Sequence, residues 1–157
     1  MSSQPQFIPI YEPTDAQAGG ITSDSVNTGK LNMLHVVIQL GAITGDGATF
    51  QFYAGATAGA ETTEIFPQYR KSGADYGVAG ADVFGARTTV PSGGIDLTAA
   101  TAWDHRTIDV EIFPDRMPEG KPWLTVQLED GAASVEVVSI LGVGEARNSG
   151  DTNPTAL

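Results

Sequence analysis

The chain has 157 residues, eight Lys or Arg against nineteen Asp or Glu, a formal net charge of −11, and no cysteine. That length fits a single domain. The acidic excess repels phosphate backbones and anionic lipid headgroups, and no basic stripe relieves it, so neither nucleic acid nor a membrane is expected as a partner. Without cysteine there is no disulfide framework and no thiol chemistry. The charge serves solubility in the first place; its sharper use would be an acidic face meeting a basic patch on a partner. Nineteen glycines and nine prolines favour turns over long helices.

In chain order, residues 1–29 carry no Lys or Arg. The opening MSSQPQFIPIYEP lacks the basic start and apolar stretch of a secretory signal. No apolar run in the chain approaches the roughly 20 residues of a membrane span. Within this segment, FIPIYEP concentrates Phe7, Ile8, Ile10 and Tyr11 between prolines. Proline fixes φ and donates no hydrogen bond, so the segment is expected to be extended and unfit for the centre of a sheet. It packs on its own domain or reaches a neighbour as an arm. The predicted organisation is an extended arm over 1–29, a β domain over 30–144 and a loose tail over 145–157.

The first clear strand is predicted over 31–40, with Leu34, Val36, Ile38 and Leu40 on one face and Met33, His35 and Val37 on the other. Gly45, Asp46 and Gly47 signal a turn, and a hairpin is expected with the following run, where Phe50, Phe52 and Ala54 share a face. A calcium loop at this GDG lacks the regular oxygen spacing of an EF-hand. The stretch AGATAGAETTE reads as loop. Short strands are expected near 63–70 and 82–90, the first at an edge because of Pro67. At most one helical turn fits around 97–102, with Asp96 as a cap. The most regular alternation follows: Ile108, Val110 and Ile112 against Asp109 and Glu111, then Leu124, Val126 and Leu128 against Trp123, Thr125 and Gln127. A last strand runs through SVEVVSILGVG. Many strands joined by turns predict an all-β chain, an antiparallel β-sandwich or jelly-roll-like domain.

Candidate chemistry is sparse. Asp104 and His105 are adjacent, and neighbours on an extended chain point to opposite sides, so they do not face each other as orienter and base. They read as the polar lip of a strand beside Trp103. Asp109 and Glu111 share a strand face about 7 Å apart and read as solvent-facing charge rather than a glycosidase pair. Two histidines make a poor zinc set, although carboxylates could complete one. No catalytic residue, metal ligand or cofactor is assigned. Trp103 and Trp123 are candidates for an interface or for a ligand platform of the kind used by carbohydrate-binding modules.

The proline-punctuated FIPIYEP, the Gly/Ala/Thr-rich β region, and the closing WDHRTIDVEIF…PWLTVQLEDGAASVEVVSILGVG together resemble the capsid decoration, or cement, proteins of tailed bacteriophages. That resemblance spans roughly 30–144 and the arm. It implies a non-enzymatic structural virion protein, without cofactors, on the outer surface of a capsid assembled in the host cytoplasm. It further implies the major capsid protein as partner, a homotrimeric state, and an arm whose Phe7, Ile8, Ile10 and Tyr11 form an interface. Deleting residues 1–20 should then abolish capsid binding or trimerisation while the β domain stays folded. Other head–tail or tail proteins and carbohydrate-binding β-sandwich modules are the alternatives.

Overall fold

A computed structural model of the chain describes residues 5–14, 20–43, 48–97, 100–129 and 137–147. Its strands are β1 (Pro5–Thr14), β2 (Ile21–Thr22), β3 (Val26–Asn27), β4 (Leu31–Leu40), β5 (Thr49–Gly55), β6 (Thr63–Glu64), β7 (Gln68–Lys71), β8 (Thr88–Thr89), β9 (Ile95–Asp96), β10 (Thr107–Ile112), β11 (Trp123–Glu129) and β12 (Val138–Ala146). A single helical turn, α1 (Ala100–Trp103), precedes β10. Among the described residues no helix is long and apolar enough to cross a membrane.

All strand pairs are antiparallel and form two sheets. Sheet A runs β1-β12-β4-β10-β7-β8, and sheet B runs β2-β11-β5-β6. β3 continues the β2 edge on β11, and β9 pairs with β5 beside β6. Four strands of sheet A, β1-β12-β4-β10, face the order β2/β3-β11-β5-β6/β9. That is the connectivity of a jelly roll, with β7 and β8 added beyond β10. The predicted fold class therefore holds.

The alternation seen in the sequence sets which side chains meet between the sheets. Leu34, Val36, Ile38 and Leu40 of β4 and Ile108, Val110 and Ile112 of β10 point inward from sheet A. Phe50 and Phe52 of β5 and Leu124, Val126 and Leu128 of β11 meet them from sheet B. Burying each of these side chains contributes about 1.5–3 kcal/mol.

Several expectations are corrected. The strands flanking Gly45–Gly47 do not form a hairpin: β4 lies in sheet A and β5 in sheet B. Residues 44–47 themselves lie outside the described residues. A turn signal marks a reversal without specifying a partner, and a jelly roll uses such reversals to cross between sheets. Thr125, expected to face solvent, is buried: its hydroxyl lies 2.7 Å from Ser25 Oγ, which also accepts from Gly59 N at 2.8 Å. The 56–60 loop thus covers this face. It approaches so closely that a Cβ on Gly55 would fall 1.9 Å from Ala60 O.

The largest correction concerns the arm. Pro5–Thr14 is β1, an edge strand zipped antiparallel to β12 from Pro5↔Glu145 to Thr14↔Val138. Ile8 and Ile10 are core residues, 3% and 1% exposed. The glycines of LGVG explain why. A Cβ on Gly142 would sit 3.1 Å from both Ile10 Cδ1 and Leu34 Cδ1, so the missing side chain leaves the notch that Ile10 fills. The prolines are accommodated because β1 is at an edge. At the other terminus, β12 continues through Ala146, and Arg147 donates from Nε to Leu31 O at 2.7 Å and pairs with Asp115. The tail boundary at 145 is therefore too early; residues 148–157 lie outside the described residues.

Candidate functional site

The outer face of sheet A gathers most of the chemistry. Odd-numbered residues of β4, β10 and β12 point to it, and the ladders set them in rows. One row reads Phe7, Val143, His35, Glu111, Gln68; the next reads Pro9, Leu141, Val37, Asp109, Arg70. The β1–β12 end of both rows is apolar and open, with Phe7 64% and Leu141 37% exposed. The β10–β7 end is charged and covered.

That charged end corrects the reading of Asp109 and Glu111 as solvent-facing: they are 5% and 6% exposed. Asp109 Oδ1 lies 2.8 Å from His35 Nδ1, and Asp109 Oδ2 accepts from Arg70 Nε at 2.8 Å. Arg87 reaches over from the segment before β8 to pair with Glu111. Arg70 in turn lies under Phe84, its guanidinium carbon 4.9 Å from the ring centroid. Burial alone would push the Asp109 carboxyl up. The hydrogen bonds and charges of His35 and Arg70 outweigh it and hold the group below its ordinary value. The same hydrogen bond to Asp109 raises the His35 imidazole, against a smaller opposing effect of burial.

Ligand atoms of His35, Asp109 and Glu111 lie within 4.8 Å of one another, close enough for a shared cation. Their donor chemistry suits zinc or manganese, but two guanidinium groups already supply the positive charge at these carboxylates. The cluster is a self-neutralised ion-pair network. His35, expected as a packed core-edge residue, is its partly exposed member.

The predicted arm residues separate. Ile8 and Ile10 face the core, Tyr11 packs half-buried against it, and Phe7 alone projects outward. Trp103 and Trp123 are not brought together. Trp103 packs at the core margin with Lys71 Nζ 4.3 Å from its ring centroid. Trp123 opens β11, between Asn27 of β3 and Gly55 of β5. Asp104 and His105 occupy the turn between α1 and β10. Asp104 Oδ1 accepts from Ile43 N at 2.6 Å, tying this turn to the end of β4. His105 adopts φ 51°, and its ring meets Tyr76 edge-on, with Nδ1 3.1 Å from the phenol oxygen. Both residues serve local architecture, as the polar-lip reading expected.

Sequence reasoning missed a second group, Tyr69, Lys71, Trp103 and Arg106, around a cleft of about 470 Å³. The signal was present in the only adjacent basic pair, Arg70-Lys71, in a strand whose alternate residues must face opposite sides.

No family model matches the chain, and no curated protein matches it. Among solved structures it is similar to the SPBc2 prophage-derived protein YomS, at 10% identity and a TM-score of 0.47, over 92% of this chain and 95% of that one. It is also similar to chains from infectious bursal disease virus: the Gt strain at 16% identity and TM-score 0.25, the Gx strain at 14% and 0.23. Of those viral chains it covers 42%. At these superposition scores the likenesses add no argument about function.

Proposed function

We propose that this chain is a structural protein of a tailed-phage virion, which binds the outside of the capsid as a homotrimer and bridges capsid subunits without catalysing a reaction. The observation that carries this reading is the open apolar strip of Phe7, Pro9, Leu141, Val143 and Val37 along the β1–β12 edge. The core does not need these side chains, and a second surface would bury them. Each large apolar group so buried contributes about 1.5–3 kcal/mol before ordering costs, and repetition over many copies adds avidity. The jelly-roll strand order supports the reading by analogy alone, since viral capsid domains and lectins share it. Compared with the sequence-based expectation, the contact surface moves from an arm to a strand face.

The test is co-sedimentation of the purified chain with expanded capsids of the same virion, alongside light scattering of the free protein. The expected outcome is a trimer that pellets with capsids, and loss of pelleting in Phe7→Asp/Leu141→Asp with an unchanged unfolding transition. A monomer that never pellets overturns the proposal.

A further inference from the structure

The cleft of about 470 Å³ lies between the inward side of β7–β8 and α1, and it is independent of the apolar strip. Its charge runs against that of the molecule. Three of the chain's eight basic residues, Arg70, Lys71 and Arg106, line it, although Arg70 turns its guanidinium to Asp109 on the outer face of the sheet, and none of the described lining residues is acidic. Volumes of about 300–1,000 Å³ are typical of ligand clefts.

The three cations differ in how far they are already committed. Arg70 is held by Asp109 through two nitrogens. Arg106 Nε lies 3.3 Å from Asp75 Oδ1, within ion-pair range but without hydrogen-bond alignment, and this buried N–H makes no hydrogen bond. Among the described residues Lys71 has no carboxylate partner. Its ammonium donates to Ala102 O at 2.8 Å and rests over Trp103.

Lys71 extends from the core-facing side of its strand while remaining partly exposed. Its ladder partner is Ile108 and that of Tyr69 is Val110, so both side chains share the core-facing side of sheet A. A partly covered ammonium with no carboxylate beside it among the described residues loses some of its hydration, which an incoming anion would offset. Burial, with Arg106 nearby, pushes the Lys71 amine below its ordinary value.

We propose that the cleft binds a carboxylate-bearing ligand, with Lys71 as its direct contact and Arg106 as the second cation. A monoanion fits better than a phosphate dianion. The uncommitted charge in the cleft amounts to Lys71 and part of Arg106, and the surrounding −11 repels further negative charge. The carboxylate belongs to an acidic sugar or to an acidic peptide side chain, and both carry the same recognised group.

The test is an NMR titration of the intact chain with sodium acetate against sodium chloride at equal ionic strength. Saturable shifts are expected in the amides of residues 71–73 and 103–106, with an upward move of the Lys71 amine pKa. Lys71→Met keeps the stem over Trp103 and should bind acetate about tenfold more weakly, the loss of one charge-assisted hydrogen bond. Lys71→Arg keeps the charge and should retain binding, which covers the case of a poorly folded Met variant. Parallel titrations with N-acetylneuraminic acid and with a glutamate-rich peptide assign the source: the tighter of the two is the ligand class, and affinities equal to acetate make the carboxylate itself the recognised unit. Shifts no larger than with chloride, or undiminished in Lys71→Met, overturn the proposal.

Discussion

On the outer face of sheet A, the β10–β7 end buries two carboxylates while the β1–β12 end leaves a phenylalanine and a leucine in water. The usual partition of residue types is reversed at both ends. The two ends reach this state by different routes. At β10–β7 the chain supplies its own cover, since Arg70, Arg87 and His35 satisfy Asp109 and Glu111 and lie across them. At β1–β12 nothing from the described chain lies over Phe7 or Leu141. A buried charge must be neutralised within the fold to exist at all, whereas an exposed apolar strip can wait for a partner. The charged end is therefore a stability feature, and the apolar end is the one to test for association.

The largest effect should come from the strand that supports the apolar end. Removing residues 1–14 withdraws Ile8 and Ile10 from the core and bares the β12 edge. A loss of about 6 kcal/mol is expected, comparable with the whole stability of a domain. Urea denaturation should show no cooperative transition. A truncated chain that unfolds normally would restore the dispensable arm. Ile10→Ala alone should cost about 3 kcal/mol.

At the charged end, Asp109→Ala strands Arg70 and His35 and should cost about 3 kcal/mol, with the Asp109→Ala/Arg70→Ala double variant costing less than the sum of the singles. Chemical denaturation of all three variants measures the coupling. A simple sum would mean that the pair is not an interacting unit.

A smaller effect is expected from pH. The folded His35 value lies above 6.5, so its contribution is complete below that value and is lost as pH rises through the raised one. The folded Asp109 value lies below 3.8, so its contribution is present above that value and is lost as pH falls through the depressed one. Stability carried by the network should peak between these limits. His35→Gln should flatten the alkaline side in a series of melts across pH.

The smallest stability change is expected at the apolar end. Phe7→Ser should move the unfolding free energy by no more than about 0.5 kcal/mol, because the ring is mostly in water. If it destabilises as strongly as Asp109→Ala, the two ends are not different in kind.

Much of this face was legible in the sequence, but its two ends were not. β10 and β11 follow from regular alternation and β4 from a partial one, and the inward faces predicted for them are those observed. Burial of Asp109 and Glu111 was illegible because their cover comes from Arg70 and Arg87, 39 and 24 residues away. Period-2 patterning reports the facing of a side chain and says nothing of what lies above it. The role of FIPIYEP was half legible. Ile8 and Ile10 alternate around Pro9 as a strand would, yet the decisive clue lies in Gly142, whose lack of a side chain has meaning only once its neighbour is known. The cleft was hidden for the same reason, since Lys71 and Trp103 meet only in three dimensions.

The pairing of β1 with β12 also governs when the molecule can form. During synthesis β1 emerges before β12 and must wait for it before Ile8 and Ile10 can leave water. Contacts so distant along the chain slow folding, and they tie completion of the domain to the synthesis of β12. An interrupted product would present the open Gly142 notch, or the unpaired FIPIYEP, to whatever it met. Quality control by proteases then has a simple criterion, because a chain in which β1 and β12 are paired has been made at least through β12.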